Sequence, residues 1–320
     1  MARARRGSPM AAMALFCGDI AFDVALRVPR FADADQKMHA FENLVSAGGV
    51  AANSAVACAR QGVTTALLAV VGDDVLGAYA IDFLAARGVD VTGVTTTPGM
   101  TAVSVCTLAE EDGEKRLVYT SSVSQYPPPE RLRDAELDGV DWIHTSCLHP
   151  EAAAVLAERA RAADIPMSID LEPSALAHGA EALAPALYEA EVVFLNERAT
   201  AEIGDIHAFC ARHRLKLVVC TRGSHGAALT DGSSEITVAP PPTGPIVDTT
   251  GAGDCLAGVY IARSLSGSDP SSALRASVAS ATHACRHLGA QGGYPDRETT
   301  DELLASGWLR EPGTPREPRA

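Results

Sequence analysis

Apolar and polar positions alternate between two periods along this chain, and the alternation sets the fold. Leu15–Ile20 reads as a buried strand with Gly18–Asp19 at its end. Ala47–Gly48–Gly49 then opens a helix in which residues 51, 52, 55, 56 and 59 are apolar or small, the spacing of a helix face, and Gly62 suits its C-terminal cap. Ala66–Val71 is a second strand, halted by Gly72–Asp73–Asp74, and residues 75–87 form a helix stopped by Gly88. Further strands are predicted at Trp142–Thr145, Met167–Leu171, Val192–Leu195 and Leu215–Thr221, with a helix at 151–163, a hairpin within 226–239 and a long helix over 271–287. Short apolar strands alternating with helices predict a mainly parallel sheet covered on both faces.

Two stretches break the alternation. Residues 22–46 contain no helical pattern, and residues 101–121 read as two strands joined by the charged turn Glu111–Asp112–Gly113–Glu114. Together they are expected to form a small β-sheet lid beside the main body.

The net charge of −14 argues against a nucleic-acid partner, which would call for a basic face. No apolar run is long enough to span a membrane. The eight cysteines contain no C-x-x-C pair and sit in apolar contexts, as free thiols of a reducing cytoplasm would. Residues 1–12 and 307–320 are expected as disordered tails around one domain at 13–306.

Candidate chemistry concentrates at Pro245–Gly258. An apolar, strand-like Pro245–Ile246–Val247 leads to Asp248–Thr249–Thr250, then to Gly251–Ala252–Gly253, Asp254 and an apolar helix. Small residues at a helix start expose unpaired backbone N–H groups in a field that favours anions, phosphate above all. The same field is expected to keep Asp254 ionised, and a carboxylate base beside an anion cradle is what phosphoryl transfer to a hydroxyl requires. A P-loop is excluded: the three lysines are Lys37, Lys115 and Lys216, and none follows a glycine. The dinucleotide fingerprint also fails, because Leu256 falls where its third glycine should stand. Gly18–Asp19, Gly48–Gly49, Gly72–Asp73, Asn196, Thr221–Gly223 and Gly251–Asp254 all fall at predicted strand-to-helix turns or strand ends, where open α/β sheets bind ligands.

Two motifs, Gly48–Gly49–Val50–Ala51–Ala52–Asn53 and Asp248–Thr249–Thr250–Gly251–Ala252–Gly253–Asp254, make the chain resemble the ribokinase-like, phosphofructokinase-B-like family of carbohydrate and nucleoside kinases. The resemblance runs from about residue 14 to about residue 296. It implies a three-layer sandwich with the small sheet as a lid that closes over a sugar and pairs two subunits into a homodimer. It implies ATP-dependent phosphorylation of a sugar hydroxyl, with Asp254 as base and Gly251, Ala252 and Gly253 as anion hole. Asp23, Asp19, Gly48, Gly49 and Asn53 would hold the sugar, although Asp19 equally suits a capping role. Asn196, Thr221, Gly223 and Gly226 would lie beside ATP and Mg2+. Asp248 and Thr250, with carbonyls near Cys285 and Ala290, would line a monovalent-cation (K+) loop. A nucleoside kinase of the same fold, or a non-catalytic sugar- or nucleotide-binding relative, are the alternatives.

The chain also departs from the family pattern. Ala199 stands where many relatives carry an acid that organises magnesium, with Glu197 and Glu202 nearby. Val50 and Ala21 replace polar residues of ribokinase itself, so ribose is not implied as the substrate. Arg27, Arg30 and Lys37 in the lid stretch could meet a phosphorylated sugar or simply face solvent.

Overall fold

The computed structural model describes residues 12–306 except 112, 147 and 243. The expected tails therefore lie outside the described residues, apart from Ala12 and the domain's Ser306 end, as do Asp112 of the charged turn and Cys147. In chain order the strands are β1 Met13–Cys17, β2 Ala21–Val28, β3 Glu42–Gly48, β4 Thr64–Gly72, β5 Val89–Asp90, β6 Val94–Thr97, β7 Ala102–Ala109, β8 Lys115–Thr120, β9 Trp142–Thr145, β10 Met167–Asp170, β11 Ala190–Leu195, β12 Val218–Thr221, β13 Ala227–Thr230 and β14 Glu235–Val238.

The main sheet runs β14-β13-β12-β11-β10-β9-β1-β4-β5, with β6 also paired to β4. From β12 to β5 every pairing is parallel, and antiparallel pairing is confined to one end, where β13 pairs with both β12 and β14. The near-continuous apolar runs follow from burial on both faces. β1 shows this directly: Ala14 and Phe16 point into one core, Leu15 and Cys17 into the other. The first core is closed by helices Val50–Arg60, Val75–Ala85, Ala252–Leu265 and Pro270–Ala284. Helices Pro150–Ala163, Ala180–Glu189 and Ile206–His213 cover the second.

A separate four-stranded sheet, ordered β3-β2-β7-β8, accounts for both stretches that broke the alternation. β2 and β7 run parallel, and the outer pairings are antiparallel. Every residue of β8 is exposed, which explains its charged and apolar mixture without a helical period.

Some expectations need correction. β1 ends at Cys17 rather than Ile20, because Gly18–Ile20 leave the ladder for the site. Pro245–Val247 is not a strand. Its backbone is drawn to a helix end instead, where the Cys285 carbonyl accepts from Val247 N at 2.8 Å and Asp248 N at 3.1 Å. Helices Glu197–Ile203, Ile206–His213 and Arg297–Ala305 were not predicted; each is short and opened by an Asn or Asp cap.

Candidate active site

The C-terminal ends of the parallel strands carry the site. Along that edge lie Thr221 at the end of β12, Asn196 after β11, Asp170 at the end of β10, Ser146 after β9 and Asp19 after β1. Helix Ala252–Leu265 starts over this edge. It lies close on helix Val50–Arg60 because Gly258 has no side chain: a Cβ there would overlap the Ser54 carbonyl. Close approach aligns the first turns of the two helices, and Asn53 Nδ2 donates to Asp254 Oδ2 at 2.7 Å.

The Gly251–Gly253 turn has the geometry of an anion cradle. Gly251 caps the helix at φ +74°, and a Cβ there would meet the Tyr294 hydroxyl at 2.6 Å and Ala290 Cβ at 2.7 Å. A Cβ on Gly253 would find nothing within 4 Å, so that residue presents its backbone to open space. Asp248 braces the turn. Its Oδ1 accepts from Thr250 N at 2.9 Å and Thr250 Oγ1 at 2.7 Å, while Oδ2 accepts from Gly289 N at 3.0 Å. Lys115 of β8 reaches over, with Nζ 3.3 Å from the hydroxyls of both Thr249 and Thr250.

Asp19 is engaged in the fold. Its carboxylate accepts from Val50 N at 2.8 Å, Ala51 N at 3.2 Å and Ser146 Oγ at 2.9 Å, capping helix Val50–Arg60 from outside its own segment. Gly48 and Gly49 make that arrangement possible. Gly49 sits at φ +103°, where a Cβ would overlap the Asp19 carbonyl, and a Cβ on Gly48 would overlap the Asp23 carboxylate lying across it. Asp23 is raised to about 7, by burial first, then by the charge of Asp19, with Ser104 hydrogen bonding as a partial offset.

Asp254 departs from expectation. Burial, reinforced by Glu172, Asp19 and Asp23, pushes it well above the ordinary carboxylate range, and the Asn53 hydrogen bond opposes that rise. The helix field does not win here, because its effect is modest beside desolvation among like charges. Two acids of this cluster, Glu172 and Asp170, went unnoticed in the sequence. Burial also raises Asp170, and Glu172 is raised to about 6 by burial and by Asp19. Asp170 ends β10 and Glu172 lies two residues beyond it, at the same sheet edge as the other sites, which is the signal that would have found them.

The remaining predicted residues form a second corner. Asn196 caps helix Glu197–Ile203, its Oδ1 accepting from Ala199 N at 2.9 Å. Ala199 is wholly buried, so the position that carries an acid in many relatives is core here. Thr221 ends β12 and leads to the turn at Gly223 (φ +49°) and Gly226 (φ +85°), where the Glu197 carboxylate lies 3.4 Å from the place a Gly223 Cβ would take. Glu197, not Glu202, is the acid brought to this turn. Arg27 and Arg30 are paired on the small sheet with Glu42 and Asp33. Next to the site, a cleft of about 750 Å³ is lined by Thr95, Pro98, Ser124, Tyr126, Arg131 and His149, none of which was predicted.

The profile of the "pfkB family carbohydrate kinase" matches residues 11–297. The chain belongs to the pfkB family of carbohydrate kinases. It is accordingly a kinase, a phosphotransferase with an alcohol group as acceptor. Over 263 residues this pfkB-family kinase is 32% identical to the ATP-dependent ribose-1-phosphate kinase of Halopiger xanaduensis, covering 81% of this chain and 87% of the relative. Over 270 residues it is 31% identical to the ribokinase of Bacillus subtilis, with the same 81% and 87% coverage. Among solved structures, a microbiome-derived acarbose kinase superposes with a TM-score of 0.77 at 25% identity, over 93% of this chain and 100% of that one. The ribokinase of Arabidopsis thaliana complexed with ribose and ATP shares the fold, with a TM-score of 0.73 at 20% identity over 92% and 98% of the two chains.

Proposed function

We propose that this pfkB-family kinase transfers the terminal phosphate of ATP to a sugar hydroxyl, with Asp254 as the base and the N–H groups of Gly251–Gly253 as the anion hole. The observation that carries this reading is one helix start. A left-handed Gly251, an open-faced Gly253 and the Asp254 carboxyl share a single turn, and Asn53 donates to that carboxyl. A carboxylate weakened as an acid by its neighbours is a stronger base than one in water, which suits the removal of a hydroxyl proton. Asp23 and Asn53 would hold sugar hydroxyls over Gly48 and Gly49, since carboxylates and amides each serve several hydroxyl bonds. Asp19 would act through the helix that it caps. Four further acids near Asp254, namely Asp19, Asp23, Asp170 and Glu172, support an uncharged reacting end on the acceptor rather than a phosphorylated one.

The donor side is proposed at Asn196, Thr221, Gly223 and Gly226. Among the described residues, no group of three or more His, Cys, Asp or Glu side chains is placed to hold a metal ion. Magnesium, which would offset phosphate charge, is therefore proposed to be held chiefly by the nucleotide, with Glu197 the protein carboxylate nearest that turn. The Asp248–Thr250 loop is the proposed potassium site, and Lys115 already places a positive charge at its rim; potassium-independent turnover in sodium buffer would remove this assignment. We place the reaction in the cytoplasm, supported by seven free, buried cysteines among the described residues. We also propose a homodimer paired through the small sheet.

An ADP-release screen over pentoses, ketohexoses, sugar acids, sugar phosphates and nucleosides tests the reading. The expected result is sugar-dependent ADP release that falls by about 10³-fold or more in Asp254→Asn while ATP binding persists. Near-normal turnover in that variant would refute the base assignment, and preference for a nucleoside would replace sugar as the acceptor.

A further inference from the structure

We propose that Gln291 is a positioning residue, which fixes the Asn53 amide with its donor end toward Asp254. This rests on the reading of Asp254 as the base. Gln291 Nε2 donates to the Ala47 carbonyl at 3.0 Å and to Asn53 Oδ1 at 2.8 Å, and Asn53 Nδ2 in turn donates to Asp254 Oδ2 at 2.7 Å. Gln291 and Asn53 are 6% and 5% exposed, so water competes little for these bonds.

The direction of the chain of donors is what matters. An Asn amide can turn over, exchanging its oxygen and nitrogen at little steric cost. Turned over, Asn53 would set Nδ2 against the Gln291 donor and Oδ1 against the Asp254 carboxylate, two mismatches at once. Gln291 cannot turn with it to relieve the clash. Its own orientation is fixed by the Ala47 carbonyl, a backbone acceptor that has no donor to offer. The polarity is therefore set at the end of β3 and handed through two side-chain amides to the base. Gln291 bears a cost for this arrangement, since its Oε1 has no protein partner among the described residues. A glutamine kept only to join two segments would be expected to use both ends of its amide.

The donated hydrogen bond favours the ionised form of Asp254, against a surrounding that disfavours it. The titratable groups facing Asp254 are Asp19 after β1, Asp23 in β2, and Asp170 and Glu172 at the end of β10, with Cys255 on its own helix and Tyr294 from the segment after helix Pro270–Ala284. None of these is a cation, so the Asn53 donor is the main counterweight among the groups that face it.

The test reads Asp254 directly. The full-length chain is labelled with aspartate carrying 13C in its side-chain carboxyl, and the Asp254 resonance is assigned by its loss in Asp254→Asn. Its pH midpoint is then followed in wild type, Gln291→Met, Asn53→Ala and the double variant. Gln291→Met keeps the length of the side chain and adds no charge, and Gln291→Ala serves as a second variant if the methionine does not fold. The expected result is a midpoint about 1 pH unit higher in Gln291→Met, with the double variant no higher than Asn53→Ala alone. A midpoint within about 0.2 unit of wild type, or shifts that add in the double variant, would overturn the relay. Turnover separates the two layers of the argument. Lost turnover in Asp254→Asn with an unmoved Gln291→Met midpoint overturns the relay alone. Full turnover in Asp254→Asn overturns the base, and with it any catalytic role for Gln291.

Discussion

Asn53 and Asp254 lie 201 residues apart in the chain, yet their side chains meet at 2.7 Å in the first turns of two helices. The contact requires an amide at position 53, because only a donor relieves a carboxyl set among other carboxyls. Asn53→Asp would place two acids at that distance, and the pair would share a proton rather than ionise together. We expect turnover near pH 7 to fall by about 10²-fold or more and the acid limb of the pH–rate profile to move upward. Unchanged kcat across pH 6–9 would show that the pair does not govern the proposed base.

The acidic lining has a stability signature. Asp23 is held at about 7, by burial first and Asp19 second, compared with about 3.9 for an aspartate in an unfolded chain. The folded state thus binds this proton more tightly. Its contribution is fully present below pH 4 and is lost as pH rises through about 7. Glu172, raised to about 6, acts in the same direction. Asp23→Asn removes the term without changing shape. We expect its melting temperature without ligands to exceed wild type by about 3 °C at pH 8, with the difference gone at pH 4. A gain of equal size at both pH values would count against a protonation effect.

Gly251 and Gly253 should respond oppositely to alanine. At Gly251 the left-handed backbone and the Tyr294 and Ala290 contacts leave no room, so Gly251→Ala is expected to cost about 3 kcal/mol of stability as well as activity. Gly253 faces open space inside a helix, where alanine is the better helix former. Gly253→Ala should therefore fold as well as wild type or better, while its added methyl weakens ATP use, read as a raised KM for ATP. Denaturant unfolding and ADP release on both variants decide this.

On one face of the small sheet, Phe41, Val45 and Val118 are large apolar side chains left 39–69% exposed. Pairing with a second copy would cover such a face. Val118→Asp is expected to shift the chain from dimer to monomer in light scattering at micromolar concentration. A wild type that is already monomeric there would dismiss the assembly.

The sequence was legible wherever structure is local. The helix start at Gly251–Asp254, the Gly48–Gly49 turn and the alternating strands announce themselves within a dozen residues. Asp170 and Glu172 were within reach, at a strand end already predicted, but no nearby glycine drew attention to them. Gln291 was not readable at all, since its role depends on a partner 238 residues away. Pro245–Val247 misled because extended backbone can satisfy its N–H groups on a carbonyl at a helix end as well as in a sheet. The ionisation of Asp254 was misjudged for a related reason: the helix field belongs to the local sequence, whereas the opposing carboxylates arrive from β1, β2 and β10, far away in the chain.

β3 stops at Gly48 and helix Val50–Arg60 starts two residues on, with a single glycine between them. A sheet and a helix joined by so short a coupling cannot swing independently. Whatever tilts the small sheet also nudges the turn that carries Asn53, so an arriving acceptor that draws the sheet inward would tune the proposed base in the same motion.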